Sequence, residues 1–120
     1  MIRILFLVLL FSIGFSSCRY TSESDDTKKV LIPEAAFSTW NYIKQYNKAP
    51  KGNVGGRQFG NYEELLPKIN TQKKKLKYRE WDIYPKKNGK NRGAERLVTS
   101  SDGNAYYTAD HYSSFVKLEP

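Results

Sequence analysis

Residues 76–118 read as short extended segments joined by turn signals, and that punctuation restricts the possible folds more than any other feature of the chain. The segment "LKYREWDIY" (76–84) is aromatic and alternating. It puts Tyr78, Glu80 and Asp82 on one face and Lys77, Arg79, Trp81 and Ile83 on the other. "PKKNGKNRG" follows with an Asn-Gly pair, and "SDGN" is a compact hairpin signal. Around them "AERLVTS", "AYYTA" and "SFVKL" read as three further strands. Upstream, Ala36, Phe37, Trp40, Ile43 and Tyr46 form a helical stripe behind Pro33 and Glu34, and Asn47 and Pro50 stop it. The pattern predicts a helix over 34–46. The stretch 48–69, with four glycines and two prolines, reads as loop. The expected class is therefore α+β, with one N-terminal helix packed on a twisted antiparallel β-sheet.

A sheet of this size needs a real core, because Cys18 is the sole cysteine and no intramolecular disulfide can form. An aromatic content of 14% makes such a core attainable. The first 18 residues, "MIRILFLVLLFSIGFSSC", have a basic start and an apolar run too short for an ordinary bilayer span. They predict a signal peptide over 1–17. The ending "FSSC" resembles a bacterial lipobox, with Phe15 where leucine is usual. That makes Cys18 a lipidation candidate and 18–29 a polar tether, with the folded domain over 30–120. The expected localisation is exported, either as a membrane-anchored lipoprotein or as an extracellular or periplasmic protein. An ordinary secretory signal with an incidental cysteine is the competing reading.

The formal charge is +8, and residues 73–96 carry most of it. Ten Lys or Arg stand there against Glu80, Asp82 and Glu95. A concentration of that kind suits a polyanion such as RNA, DNA or anionic lipid. The lysine run 73–75 alone reads equally as a solvated face.

Several polar residues sit where side chains are expensive to hold. Glu80 lies mid-strand among aromatics, with Asp82 two residues on. Arg92 and Arg96 are four apart, so they share a face in an extended chain. His111 is the only histidine. A carboxylate can take a proton, and an imidazolium can give one near neutral pH. Two guanidiniums can grip phosphate oxygens in a planar fork and stabilise added negative charge. This equipment suits phosphodiester cleavage in RNA, whose 2′-hydroxyl supplies the nucleophile. No clustered Asp/Glu/His set suggests a metal site, so neither metal nor cofactor is expected. Each residue also has a plainer reading. Glu80 could be half of a cross-strand ion pair, the arginines could be solvated or paired with Glu95 and Asp82, and His111 could be a surface residue.

The motifs "FGNYEELLP", "YREWDIY", "NRGAERLVTS" and "YYTADHYSSF" occur in an order and spacing that resemble the barnase-like, bacterial branch of the guanyl-specific microbial ribonucleases. The resemblance covers roughly residues 32–118. It implies that Glu80 is the general base and His111 the general acid, that Arg92 and Arg96 bind phosphate, and that Asp82 holds those arginines. It also implies that Tyr112 lines the site. The product would be a 2′,3′-cyclic phosphate, hydrolysed afterwards with Glu80 and His111 exchanging roles. "FGNYEE" matches the family's guanine loop. The N–H groups of Gly60, Asn61 and Tyr62 would meet guanine O6, Glu63 would accept from N1 and N2, and Phe59 would support the loop from the core. Tyr62 stands where the family usually has arginine, and it could stack on a base or be a simple surface replacement. The chain lacks the longer multi-helix N-terminal part of some members and the disulfide of the shorter ones. Whether Asp110 orients His111 or caps the turn stays open.

The leading expectation is an exported, metal-independent, monomeric endoribonuclease acting on single-stranded RNA 3′ of guanosine, attached to a membrane through Cys18. An acidic protein inhibitor is implied as a partner if the enzyme is lethal inside cells. The alternatives are a catalytically impaired lipoprotein of the same fold that binds RNA or another polyanion, and simple adsorption of the basic strip to a membrane.

Overall fold

The computed structural model describes residues 29–120; the signal segment and Cys18 lie outside the described residues. Helix α1 runs Glu34–Tyr46, as the stripe predicts. Pro33 precedes it in an extended conformation, and Asn47 closes it at φ 52° with its N–H on the Ile43 carbonyl at 2.7 Å. Ala36, Trp40 and Ile43 are buried, whereas Tyr46 is half exposed and packs on Tyr42.

Five strands follow: β1 Gly55–Phe59, β2 Tyr78–Asp82, β3 Arg96–Ser100, β4 Ala105–Thr108 and β5 Val116–Lys117. They pair antiparallel in chain order, β1-β2-β3-β4-β5. The sheet thus has one strand more than the sequence suggested, and β1 lies inside the stretch that reads as loop. Its glycines hide it from propensity, but the packing needs one of them to be small. A Cβ on Gly55 would stand 2.9 Å from Trp81 Cα, so only glycine lets β1 pair over that ring. Gly56, at φ +95°, is the extra residue of a bulge. The register passes from Gly55 opposite Trp81 to Arg57 opposite Glu80, which puts Arg57 beside the carboxylate.

The two sheet faces bury different things. On the helix side, Trp81, Ile83, Leu97, Ala105, Tyr107 and Leu118 meet Ala36, Trp40 and Ile43. Trp81 is anchored by its indole N–H on Thr99 Oγ1 at 2.9 Å, with the Arg79 guanidinium stacked on its ring. On the other side a smaller cluster, Leu66, Leu76, Tyr78, Val98 and Tyr106, fills one end of the sheet, with Phe59, Tyr112 and Phe115 packed against it. The opposite end of that face carries charge.

Candidate active site

Strand alternation puts Tyr78, Glu80 and Asp82 on the face away from the helix, as the sequence predicts. Tyr78 goes into the small apolar cluster and donates its hydroxyl to the Pro67 carbonyl at 2.5 Å. Burial pushes its pKa up to about 12, so it is a structural phenol. Glu80 and Asp82 remain as the face's acidic pair, and each has a different set of partners.

Asp82 is 4% exposed and organises both arginines. Arg92 donates from Nε at 2.6 Å and from Nη2 at 2.5 Å to its two carboxylate oxygens, a bidentate fork. This contact raises the Arg92 pKa further above its ordinary value. Arg96, on β3 opposite Asp82, is 6% exposed. Its Nη1 donates to the Gly93 and Glu95 carbonyls at 2.6 and 2.7 Å. Its Nε stands 3.1 Å from Asp82 Oδ1, close enough to pair but too far off line for a directed hydrogen bond. The Gly93 and Glu95 carbonyls and Asp82 therefore lock Arg96 from behind.

Glu80 accepts a hydrogen bond from the Tyr112 hydroxyl at 3.0 Å and an ion pair from Arg57 Nη2 at 2.9 Å. Its side chain keeps 18% exposure, so it remains reachable. Arg57 was not a sequence candidate. Its proximity depends on the Gly56 bulge, and a missed strand concealed the register. The Tyr112 phenol is pushed up to about 12, chiefly by burial and then by the Glu80 carboxylate, so it stays a donor at neutral pH. Arg96 also lies beside the Tyr112 hydroxyl, opposing that shift. Tyr112 thus touches both the carboxylate and the arginine pair.

His111 reaches the same place through an unusual backbone. His111 and Tyr112 both have positive φ, 53° and 73°, a costly conformation for side-chain-bearing residues. Asp110 holds the turn. Its carboxylate accepts from the Ser114 hydroxyl at 2.6 Å, the Ser114 N–H at 2.9 Å and the Thr108 hydroxyl at 2.8 Å. The Tyr112 N–H in turn donates to Thr108 Oγ1 at 3.0 Å. These bonds, led by the Ser114 side chain, hold the Asp110 carboxyl down at about 2. Asp110 caps the turn, which settles the question the sequence left open. His111 itself donates its backbone N–H to the Ala94 carbonyl at 3.1 Å, and its ring lies 4.9 Å from the Tyr112 ring. Glu80 and His111 are therefore on the same side of the sheet, joined through Tyr112.

The "FGNYEE" segment forms the adjoining wall. Asn61, at φ 49°, clips the loop by exchanging two hydrogen bonds with the backbone of Leu66, at 2.8 and 3.1 Å. Phe59 packs on the Tyr112 ring, centroids 5.1 Å apart. Among the described residues, the N–H groups of Gly60, Asn61 and Tyr62 have no protein acceptor outside the strand ladder. Tyr62 is 94% exposed and its ring folds back over Gly60, where a side chain would collide with it. A cavity of about 240 Å³ opens between the loop and the turn, lined by Phe59, Asn61, Tyr62, Glu63, His111 and Tyr112 among others. Every site residue expected from the sequence, except Cys18, falls on this face or on the loop beside it.

A ribonuclease family model matches residues 15–119. Guanyl-specific ribonuclease St of Saccharopolyspora erythraea is 31% identical over 98 residues, covering 82% of this chain and 91% of that protein. Ribonucleases of Heyndrickxia coagulans and Bacillus intermedius are each 39% identical over 70 residues, 58% of this chain. The match spans 59% of the first of these and 40% of the second. Ribonuclease Sa2, crystallised with guanosine-2′-cyclophosphate, superposes with a TM-score of 0.54 at 30% identity, covering 74% of this chain and 88% of its own. With one helix on a five-stranded antiparallel sheet and a family model that spans nearly the whole sequence, the chain belongs to the barnase-like microbial ribonuclease family.

Proposed function

We propose that this protein is an exported, metal-independent endoribonuclease that cleaves RNA 3′ of guanosine through a 2′,3′-cyclic phosphate. The observation that carries the reading is the convergence of Glu80, Arg96 and His111 on Tyr112, beside a cavity walled by the 59–63 loop. Glu80 takes the 2′-hydroxyl proton as that oxygen attacks phosphorus. His111 gives a proton to the departing 5′-oxygen. In the second step water attacks the cyclic phosphate and the two exchange roles. Arg92 and Arg96 bear on the phosphate oxygens, and their positive charge meets the charge that builds in the transition state. Asp82 keeps both guanidiniums aimed. Arg57 and Tyr112 hold the Glu80 carboxylate in place.

The guanine reading rests on hydrogen-bond matching. Uncommitted N–H groups at 60–62 suit an acceptor such as O6, and Glu63 suits the paired N1 and N2 donors that adenine lacks on that edge. Tyr62, exposed at the cavity rim, is placed to stack on the base. Outside the described residues, a signal peptide over 1–17 and lipidation of Cys18 complete the proposal. Cys18→Ser should then release the protein from membranes, and a soluble wild type would remove the anchor.

The test is digestion of a mixed-sequence RNA by the full chain in EDTA, with sequencing of product 3′ ends. Guanosine 2′,3′-cyclic phosphate termini are expected. Ends without base bias would overturn the guanine reading. Retention on RNA without cleavage would favour the binding-only alternative.

A further inference from the structure

A second cavity, of about 260 Å³, lies on the other side of the arginine pair from the 59–63 loop. Asp82, Arg92 and Arg96 form one wall, and Lys86, Lys87 and Lys90 of the β2–β3 connection form another. We propose that this cavity is a subsite for a second phosphate of the RNA strand, next to the one being cleaved; the proposal rests on the ribonuclease reading above.

The carboxylates there are already committed. Asp82 is held by both arginines, and Glu95 accepts the Tyr107 hydroxyl at 2.8 Å. None of the ion pairs among the described residues involves Lys86, Lys87 or Lys90. Three ammonium groups therefore border a concave space without a counter-charge. Their mutual repulsion is a standing cost that a phosphate would relieve.

The connection is also held in shape. The Lys86 N–H donates to the Gly52 carbonyl at 2.9 Å, and the Lys90 N–H to the Lys87 carbonyl at 3.3 Å. Gly89, at φ 73°, turns the chain so that lysines from both arms border the same space. The two cavities share no residue, and the phosphate-binding arginines stand between them. A strand with its base in the first and its scissile phosphate on Arg92 and Arg96 continues into the second. Lysines suit that position, since a point charge on a long stem accepts a phosphate of any sequence context.

The test compares the full-length wild type with a K86Q/K87Q/K90Q triple variant. The substrates are GpA, which has one phosphate, GpApA, which adds one on the 3′ side, and ApGpA, which adds one on the 5′ side. For the wild type, one of the longer substrates should show about tenfold higher kcat/KM than GpA at low salt, mainly through KM. The triple variant should lose that gain and keep the GpA rate. Its log kcat/KM against log salt on that substrate should flatten by about 0.7 per lost phosphate contact. Which substrate gains tells which neighbouring phosphate is held. A variant that keeps the gain, or that loses GpA cleavage in equal measure, overturns the subsite. So does a variant that keeps the gain but no longer binds phosphatidylglycerol vesicles, which would assign the lysines to a membrane. Binding of uncleavable 2′-deoxyguanosine analogues of the three substrates gives the same comparison without chemistry. An inactive wild type would thus refute the reaction and still decide the subsite.

Discussion

The two faces of the sheet are built from the same five strands, and they divide the protein's tasks. The helix side is continuous apolar packing around Trp81 and Leu97. Its contacts are many and non-directional, so its cost of error is cavity volume. The other face begins as a small apolar cluster under Phe59 and Tyr112 and ends in nearly buried charge at Asp82 and Arg96. Few contacts hold that end, and each is directional. One face holds the molecule together; the other holds a few groups at fixed distances and is stable only while its charges are matched.

Two substitutions separated by one residue break this comparison most strongly. Trp81→Ala should cost about 3–5 kcal/mol in denaturant unfolding and leave kcat/KM per folded molecule close to wild type. Asp82→Ala should cost a similar amount, about 3–5 kcal/mol, because it strands the buried Arg96 charge. Unlike the tryptophan variant, it should also depress RNA cleavage in molecules that remain folded, since both guanidiniums lose their anchor. Equal kinetics in the two variants would erase the proposed division.

Next in size is base preference. Glu63→Ala removes one charge-assisted acceptor at the cavity rim, and the ratio of GpA to ApA cleavage should fall about tenfold to a hundredfold. An unchanged ratio would move recognition elsewhere. Arg57→Ala should cost less than about 1 kcal/mol of stability, since the arginine side of that pair is 64% exposed. Its cleavage rate should fall by less than about tenfold, with partial rescue by Arg57→Lys.

The smallest effect is confined to the Asp110 turn. A carboxyl held down at about 2 in the folded state and near 3.9 when unfolded contributes stability above the higher value. That contribution declines as pH falls from about 4 to about 2. Amide exchange at Tyr112 and Ser114 should quicken over that window while the β3 amides hold. Ser114→Ala should move the window to higher pH.

These residues also show where a sequence is legible. Helix α1 was readable because Pro33, a 3.6-residue stripe and Asn47 all agree. Glu80 and Asp82 were assigned to one face because strand alternation is rigid, and Arg92 and Arg96 because their partner Asp82 was on that face. Strand β1 was not readable. Gly55 and Gly56 lower strand propensity, and the reason for a glycine at Gly55, the Trp81 ring, lies 26 residues away in sequence. Arg57 was lost with it, because a bulge decides what that side chain faces. The role of Asp110 was equally hidden, since its partners Thr108 and Ser114 become visible only once the chain turns through two positive-φ residues.

The central claim is that Glu80 and His111 flank one phosphorus, each with its own proton. It is tested most directly by measuring kcat/KM for Glu80→Ala and His111→Ala on two esters of guanosine 3′-phosphate. One is GpA, whose leaving alkoxide needs a proton. The other is the 4-nitrophenyl ester, whose leaving group does not. Glu80→Ala should lose about 10²–10⁴-fold on both, because 2′-hydroxyl attack is common to them. His111→Ala should lose a comparable factor on GpA and little on the nitrophenyl ester. Equal losses on both esters for His111→Ala, or full activity in either variant, would contradict it.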